Sequence, residues 1–208
     1  MPLTIVDHPL AKDCIAKLRD INTNHSEYNT ISKTLAILVA ISATQHLSTI
    51  TQNVQTPICL TTGNFIANPL VLVPILRAGL SMLNPIHELF PQAKAGFIGL
   101  QRTQSEPEQY YINVPKDPKA TVLVLDPMIA TGGSACTAIQ YLQNMEFTDI
   151  RLVSFVAAPE GINMLETKFP HIPVYTAALD EKLNSDFYII PGLGDFGDRL
   201  FGTVHLKT

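Results

Sequence analysis

The stretch 121–140, TVLVLDPMIATGGSACTAIQ, decides the fold. Val122 to Leu125 is apolar at every position, which suits a strand covered on both faces of a parallel sheet, since a half-exposed strand alternates apolar with polar. Asp126 closes the run, a loop of small residues follows, and a helix is predicted to start near Ser134. Thr131, Gly132, Gly133 and Ser134 offer successive backbone N–H groups and two hydroxyls at that helix N-terminus, where peptide dipoles favour an anion. The two glycines let the backbone approach a phosphate closely. No Gly-Lys dipeptide occurs in the chain, which excludes a Walker P-loop, and Gly132-Gly133 lacks the spacing of a dinucleotide-binding glycine fingerprint. Taken alone, the loop also fits a glycine-rich turn that holds no ligand.

Strand and helix signals alternate on both sides of this unit. Leu70 to Leu76 is apolar apart from Pro74, and Gly96 to Leu100, Arg151 to Ala157 and Val174 to Ala178 repeat the strand signature. Helices are predicted over Leu80 to Leu89 and Glu160 to Phe169, which gives the strand-helix-strand rhythm of a parallel sheet. Upstream, Asp7 to Asp20 and Ser26 to Gln52 read as helices outside the sheet, Pro57 to Leu60 as a short strand and Thr61 to Asn64 as a turn. The polar segment Gln101 to Pro118, with Tyr110, Tyr111, Ile112 and Val114, breaks the rhythm and predicts a hairpin arm. Near the end, Tyr188 to Gly202, YIIPGLGDFGDRLFG, packs Pro191 and four glycines into a loop that a core alone would not require.

Composition narrows the function classes. A chain of 208 residues without repeats predicts one domain over 1–208, and 46% hydrophobic against 15% charged residues suits a doubly covered sheet and a homo-oligomer. The net charge of −4 leaves no basic footprint for nucleic acid. Cys14, Cys59 and Cys136 are widely spaced and odd in number, so neither a disulfide framework nor a Cys-x-x-Cys metal site is indicated, and no His-Glu-x-x-His pattern occurs. Apolar runs such as Pro69 to Leu76 are too short to span a bilayer, and the first residues lack a basic region followed by an apolar one. A cytoplasmic protein without a membrane partner is expected.

Several single residues stand where open α/β sheets bind ligands, at the C-terminal ends of strands. Arg77 follows Leu70 to Leu76, and its planar fork suits diphosphate oxygens, although a strand-capping salt bridge explains it too. Asp126 has the same choice between ligand and turn capping, and Arg102, Asp195 and Asp198 between ligand and ordinary loop chemistry. His87 and His171 read as structural.

Together, VPILRAGLSML, GLQR, VLVLDPMIATGGS, VAAPEGI and YIIPGLGDFGDRLFGT resemble the uracil phosphoribosyltransferase family of type I phosphoribosyltransferases, over roughly the last two-thirds of the chain. Pro127 after Asp126 is the uracil enzymes' spelling, where most type I relatives carry Asp-Asp or Glu-Asp. The resemblance implies an α/β fold with a mainly parallel sheet flanked by helices, an N-terminal helical region, a hairpin arm and a C-terminal base-binding loop. It implies conversion of uracil and phosphoribosyl diphosphate (PRPP) to UMP and diphosphate in pyrimidine salvage. Mg²⁺ would arrive mainly on PRPP rather than in a dedicated protein metal site, and GTP enters as a candidate effector of a homodimer or higher homo-oligomer. By the same resemblance Arg77 and Asp126 are the catalytic residues. Arg77, Arg102, Asp126, Pro127, Met128, Ile129, Ala130, Thr131, Gly132, Gly133, Ser134 and Asp195 bind PRPP, while Ile189, Gly194, Asp195 and Phe196 read uracil. The Leu76–Arg77 peptide is expected to be cis.

The chain also departs from the family pattern. Tyr28-Asn29 replaces Phe-Arg and Ile41-Ser42 replaces Tyr-Glu, while Thr103 and Gln104 replace acidic residues after Arg102, the span to Tyr110 is shorter, and Asn113 stands where lysine is usual. These changes raise two alternatives, a non-catalytic nucleotide-binding regulator on the same fold and a phosphoribosyltransferase for another base.

Overall fold

The computed structural model describes residues 2–101 and 108–203. Strand β1 (Leu3–Ile5) leads into helices α1 (Pro9–Arg19) and α2 (His25–Thr44). Pro9 opens α1, where a missing N–H is tolerated, and Asn24 caps α2 by accepting from the Glu27 N–H at 3.0 Å. The hairpin of β2 (Thr49–Gln55) and β3 (Leu60–Ile66) comes next, followed by β4 (Leu70–Leu76), α3 (Leu80–Leu89), β5 (Lys94–Ala95), β6 (Phe97–Gln101) and β7 (Glu108–Asn113). The decisive stretch forms β8 (Thr121–Leu125), β9 (Met128–Ile129) and α4 (Gly133–Asn144). After it come β10 (Asp149–Ala157), α5 (Pro159–Lys168), β11 (Val174–Leu179), β12 (Lys182–Leu183), β13 (Ile189–Ile190) and α6 (Phe196–Phe201).

The main sheet runs β1-β11-β10-β8-β4-β6-β7, with β5 beside β4 and β9 beside β10, and every pairing except β6 with β7 is parallel. β4 and β8 are continuously apolar because helices cover both of their faces. Leu70, Leu72, Leu123, Leu125, Val153 and Phe155 face a core shared with α1, α2 and α3, while Val71, Val73, Val122, Val124 and Leu152 face α4 and α5. Each such side chain taken from water contributes roughly 1.5 to 3 kcal/mol. The register therefore holds β4, β8 and β10 side by side with their C-terminal ends at one edge.

The α/β architecture and most elements agree with the sequence reading, including the hairpin that β6 makes with β7. The N-terminal third differs. The helix expected over Ser26 to Gln52 ends at Thr44, and residues 49–55 are a strand, which the β-branched Thr49, Ile50, Thr51 and Val54 favour. The expected short strand at Pro57 to Leu60 is mostly the turn: Thr56 Oγ1 accepts from the N–H groups of Ile58 (3.2 Å) and Cys59 (3.0 Å), closing it locally. Thr61 to Asn64, expected as a turn, lies within β3 instead. Its threonines are strand formers, and Gly63 pairs with Gln52, where a Cβ would lie 3.0 Å from Val54 Cγ2. Strand β1 was not legible, being three residues that gain their place only by pairing with β11.

Candidate active site

Asp126 stands just past β8 and is half-buried. The chain beyond it stays zipped to β10: the Asp126 N–H donates to Val153 O at 3.1 Å, Pro127 O accepts from Phe155 (3.0 Å) and Val156 (3.2 Å), and Ile129 O accepts from Ala158 (2.8 Å). The first part of the loop, through Ile129, is thus held on the sheet. Gly132 then turns into α4 with φ 83°, a left-handed conformation that favours glycine. A Cβ on it would lie 2.9 Å from Gly161 O, and one on Gly161 would lie 2.5 Å from Ala130 O, so backbone meets backbone where the loop crosses the start of α5. No side chain caps α4, and Thr131, Gly133 and Ser134 remain partly or fully exposed, so first-turn N–H groups face the open end of the helix.

Arg77 follows β4, the neighbour of β8, and its side chain is exposed. The Leu76–Arg77 peptide is cis, as expected. Gly79 brings this turn against β8: a Cβ there would lie 2.3 Å from Leu125 O, one residue before Asp126. The Arg77 and Asp126 turns are consequently packed together at one sheet edge. Arg102 lies outside the described residues.

The C-terminal loop closes the same edge. Gly192 and Gly194 have φ of 60° and 78°, and a Cβ on Gly192 would lie 2.1 Å from Ile189 O. Asp195 caps α6, its Oδ1 accepting from the Asp198 N–H at 2.9 Å, while Gly194 stays exposed. Ile189 and Phe196 are buried, and the Phe196 ring sits 5.4 Å from that of Tyr28 and 5.5 Å from that of Phe155, centroid to centroid. Their side chains belong to the core beneath the loop. The Arg77 guanidinium lies 5.8 Å from the centroid of the Phe201 ring, linking α6 to the Arg77 turn.

Residues that the sequence reading did not single out support this loop. Arg199 stacks 4.5 Å over the Tyr28 ring and donates to Leu193 O (2.9 Å), Asp20 O (2.6 Å) and Leu18 O. Burial pushes the Tyr28 phenol up, Arg199 opposes this and Asp195 adds to it, so the phenol stays protonated. Asp180 and Arg19, which form an ion pair, were missed because they lie 161 residues apart, and Gly161 lies within the VAAPEGI motif without a role having been read for it. The one available signal for Asp180 was its place just after a predicted strand. His87, read as structural, contacts Ala93 O through Nε2 at 3.0 Å. Among the described residues, no group of three or more His, Cys, Asp or Glu side chains is placed to hold a metal ion, and no helix is long and apolar enough to cross a membrane.

Comparison with known proteins matches residues 5–203 to the model of a family described as uracil phosphoribosyltransferase. A uracil phosphoribosyltransferase of Acholeplasma laidlawii is 47% identical over 204 residues, which is 97% of this chain and 98% of that protein. One from Dictyoglomus thermophilum is 46% identical over 203 residues, covering 96% and 98%. A solved structure of a protein from Aquifex aeolicus superposes with a TM-score of 0.91 at 35% identity, covering 96% of this chain and 97% of that one.

Proposed function

Because the chain belongs to the uracil phosphoribosyltransferase family, we propose that it converts uracil and PRPP to UMP and diphosphate as a cytoplasmic enzyme of one domain, 1–208. The observation that carries this reading is the packing of the Arg77 turn and the Asp126–Ser134 loop along one edge formed by β4, β8 and β10, with the glycine-rich C-terminal loop joined to it through Phe201 over Arg77 and Phe196 against Phe155. The α4 N-terminus, with Thr131 to Ser134, takes the 5′-phosphate of PRPP. Asp126 takes the ribose hydroxyls, and Arg77, joined by Arg102, takes the diphosphate. Backbone groups of Ile189, Gly194, Asp195 and Phe196 read the base. Uracil presents acceptor, donor and acceptor along one edge, whereas cytosine would set its exocyclic donor against another donor.

Displacement at the ribose C1 builds positive charge on the ring and negative charge on the departing diphosphate. Asp126 lies on the side of the first and Arg77 on the side of the second, so preorganised charge and alignment lower the barrier without a covalent intermediate. Mg²⁺ fits such a site, since it is commonly held by one or two carboxylates together with substrate phosphates, and Asp195 supplies a carboxylate at this edge. When bound it neutralises diphosphate charge. The reading includes a homo-oligomer with GTP as a candidate effector, which a GTP titration of the activity tests. The deciding experiment is uracil-dependent release of diphosphate from PRPP. PRPP binding without turnover would favour the regulator, and turnover of hypoxanthine in place of uracil would reassign the base.

A further inference from the structure

We propose that the ion pair of Arg19 and Asp180 is a positioning device for the base-reading loop, which makes the end of α1 part of the uracil site. The proposal rests on the assignment of uracil to that loop. Asp180 follows β11, its N–H donates to Ala157 O at 2.8 Å, and its side chain is 3% exposed. Its Oδ1 accepts from Arg19 Nη2 at 2.5 Å, and its Oδ2 from Arg19 Nη1 at 2.8 Å. Oδ2 also accepts from the Gly192 N–H at 2.8 Å, and Nη1 also donates to Gly192 O at 2.8 Å. The two charged groups therefore hold both peptide units around Gly192, two residues before Gly194.

A buried ion pair is a weak source of net stability, because desolvation offsets most of the attraction. A planar guanidinium gripping a carboxylate with two parallel bonds does, however, fix direction. Direction is what a base-reading backbone needs, since a polar match to uracil is lost when N–H and C=O groups swing away from its edge. Gly192 is the point in the loop where backbone orientation is set, having φ of 60° and Ile189 O too close for any Cβ. Arg199 holds the next carbonyl, Leu193 O, and ties it to the end of the same helix through Leu18 O and Asp20 O. The Asp126–Ser134 loop shares none of these bonds, and Asp195, which serves PRPP from this loop, is held by its own bond to the Asp198 N–H at 2.9 Å, so weakening the pair falls mainly on the base.

Arg19→Lys keeps the charge but replaces the fork with a single ammonium that cannot hold the carboxylate and the Gly192 carbonyl together. Steady-state kinetics with each substrate varied should show the uracil KM raised about tenfold, as expected for one disrupted charged hydrogen bond. The PRPP KM should stay within about twofold, and selectivity for uracil over cytosine should fall. Asp180→Asn should act in the same direction. Thermal unfolding separates this from general damage, and if Asp180→Asn does not fold, Arg19→Lys decides. An unchanged uracil KM, or equal rises in both KM values, would overturn the proposal while wild-type turnover of uracil leaves the function standing. Loss of fold in both variants would also overturn it, making the pair a strut for the whole molecule. A wild type that does not turn over uracil would overturn the function and the proposal together.

Discussion

At Gly161 one methyl group tests the phosphate loop. Its Cβ would sit 2.5 Å from Ala130 O and 2.8 Å from Ile129 Cγ2, and the first of these is backbone one residue past the β9 pairing with β10. Overpacking of this kind costs about 1 to 3 kcal/mol, which the loop can relieve only by moving away from α5. Gly161→Ala should therefore raise the PRPP KM by about tenfold and leave the uracil KM nearly unchanged, as initial-rate measurements would show. Asp126→Asn keeps the size of the side chain but removes the charge beside the ribose. Turnover should fall by about 10²-fold with uracil binding little altered, because the lost interaction strengthens only in the transition state. Equal turnover in the variant would remove Asp126 from the mechanism. Arg77→Ala should raise the PRPP KM, and no change there would sink the diphosphate assignment.

Among the elements, β10 joins the site to a part of the fold with no role in chemistry. Its C-terminal half pairs with β9 of the Asp126–Ser134 loop, while Arg151 near its start donates to Ala43 O at 2.7 Å, and so closes the end of α2. Arg151 is also gripped by Asp149, which accepts from Thr121 Oγ1 at 2.7 Å. Arg151→Met should cost about 1 to 3 kcal/mol, the usual loss for a charged hydrogen bond. That lowers Tm by about 2 to 4 °C for each kcal/mol in a chain of this size, with both KM values retained. A shifted KM would show that the two ends of the strand are coupled. The difference between these ends also explains what could be read in advance. β4, β8 and α4 were legible because a continuous apolar run, an acid and a glycine pair are local signals. Arg19 with Asp180, and Arg199 with the end of α1, were not legible, because their partners are 161 and up to 181 residues away. The β2 and β3 hairpin was missed because residues 49–52 extend the helical reading of Ser26 to Gln52, and Thr61 to Asn64, with Gly63, has the composition of a turn as much as of a strand.

That hairpin bears on the whole molecule. Its fourteen residues across β2 and β3 pair along their full length, yet nearly all are exposed. Two strands alone are marginal in water, so a hairpin of this length calls for something to pack against. Ile50 and Phe65 are directly paired and 44% and 45% exposed, with Val54 on the same face, while Ile58 at the turn is 93% exposed. Apolar side chains concentrated on one protruding element mark an interaction surface. The 46% hydrophobic composition agrees, since the sheet core accounts for its buried share and leaves this face over. A second copy is the simplest cover, because self-association needs no other partner. Sedimentation velocity at micromolar concentration should accordingly show a dimer or larger species. Replacing Ile50 and Phe65 together by Asp should shift it to monomer, because two buried carboxylates without partners oppose any apolar interface. The sheet and both site loops contain neither residue, so the variant should remain folded by circular dichroism. A wild type that sediments as a monomer, or a double variant that still associates, would remove the hairpin from assembly.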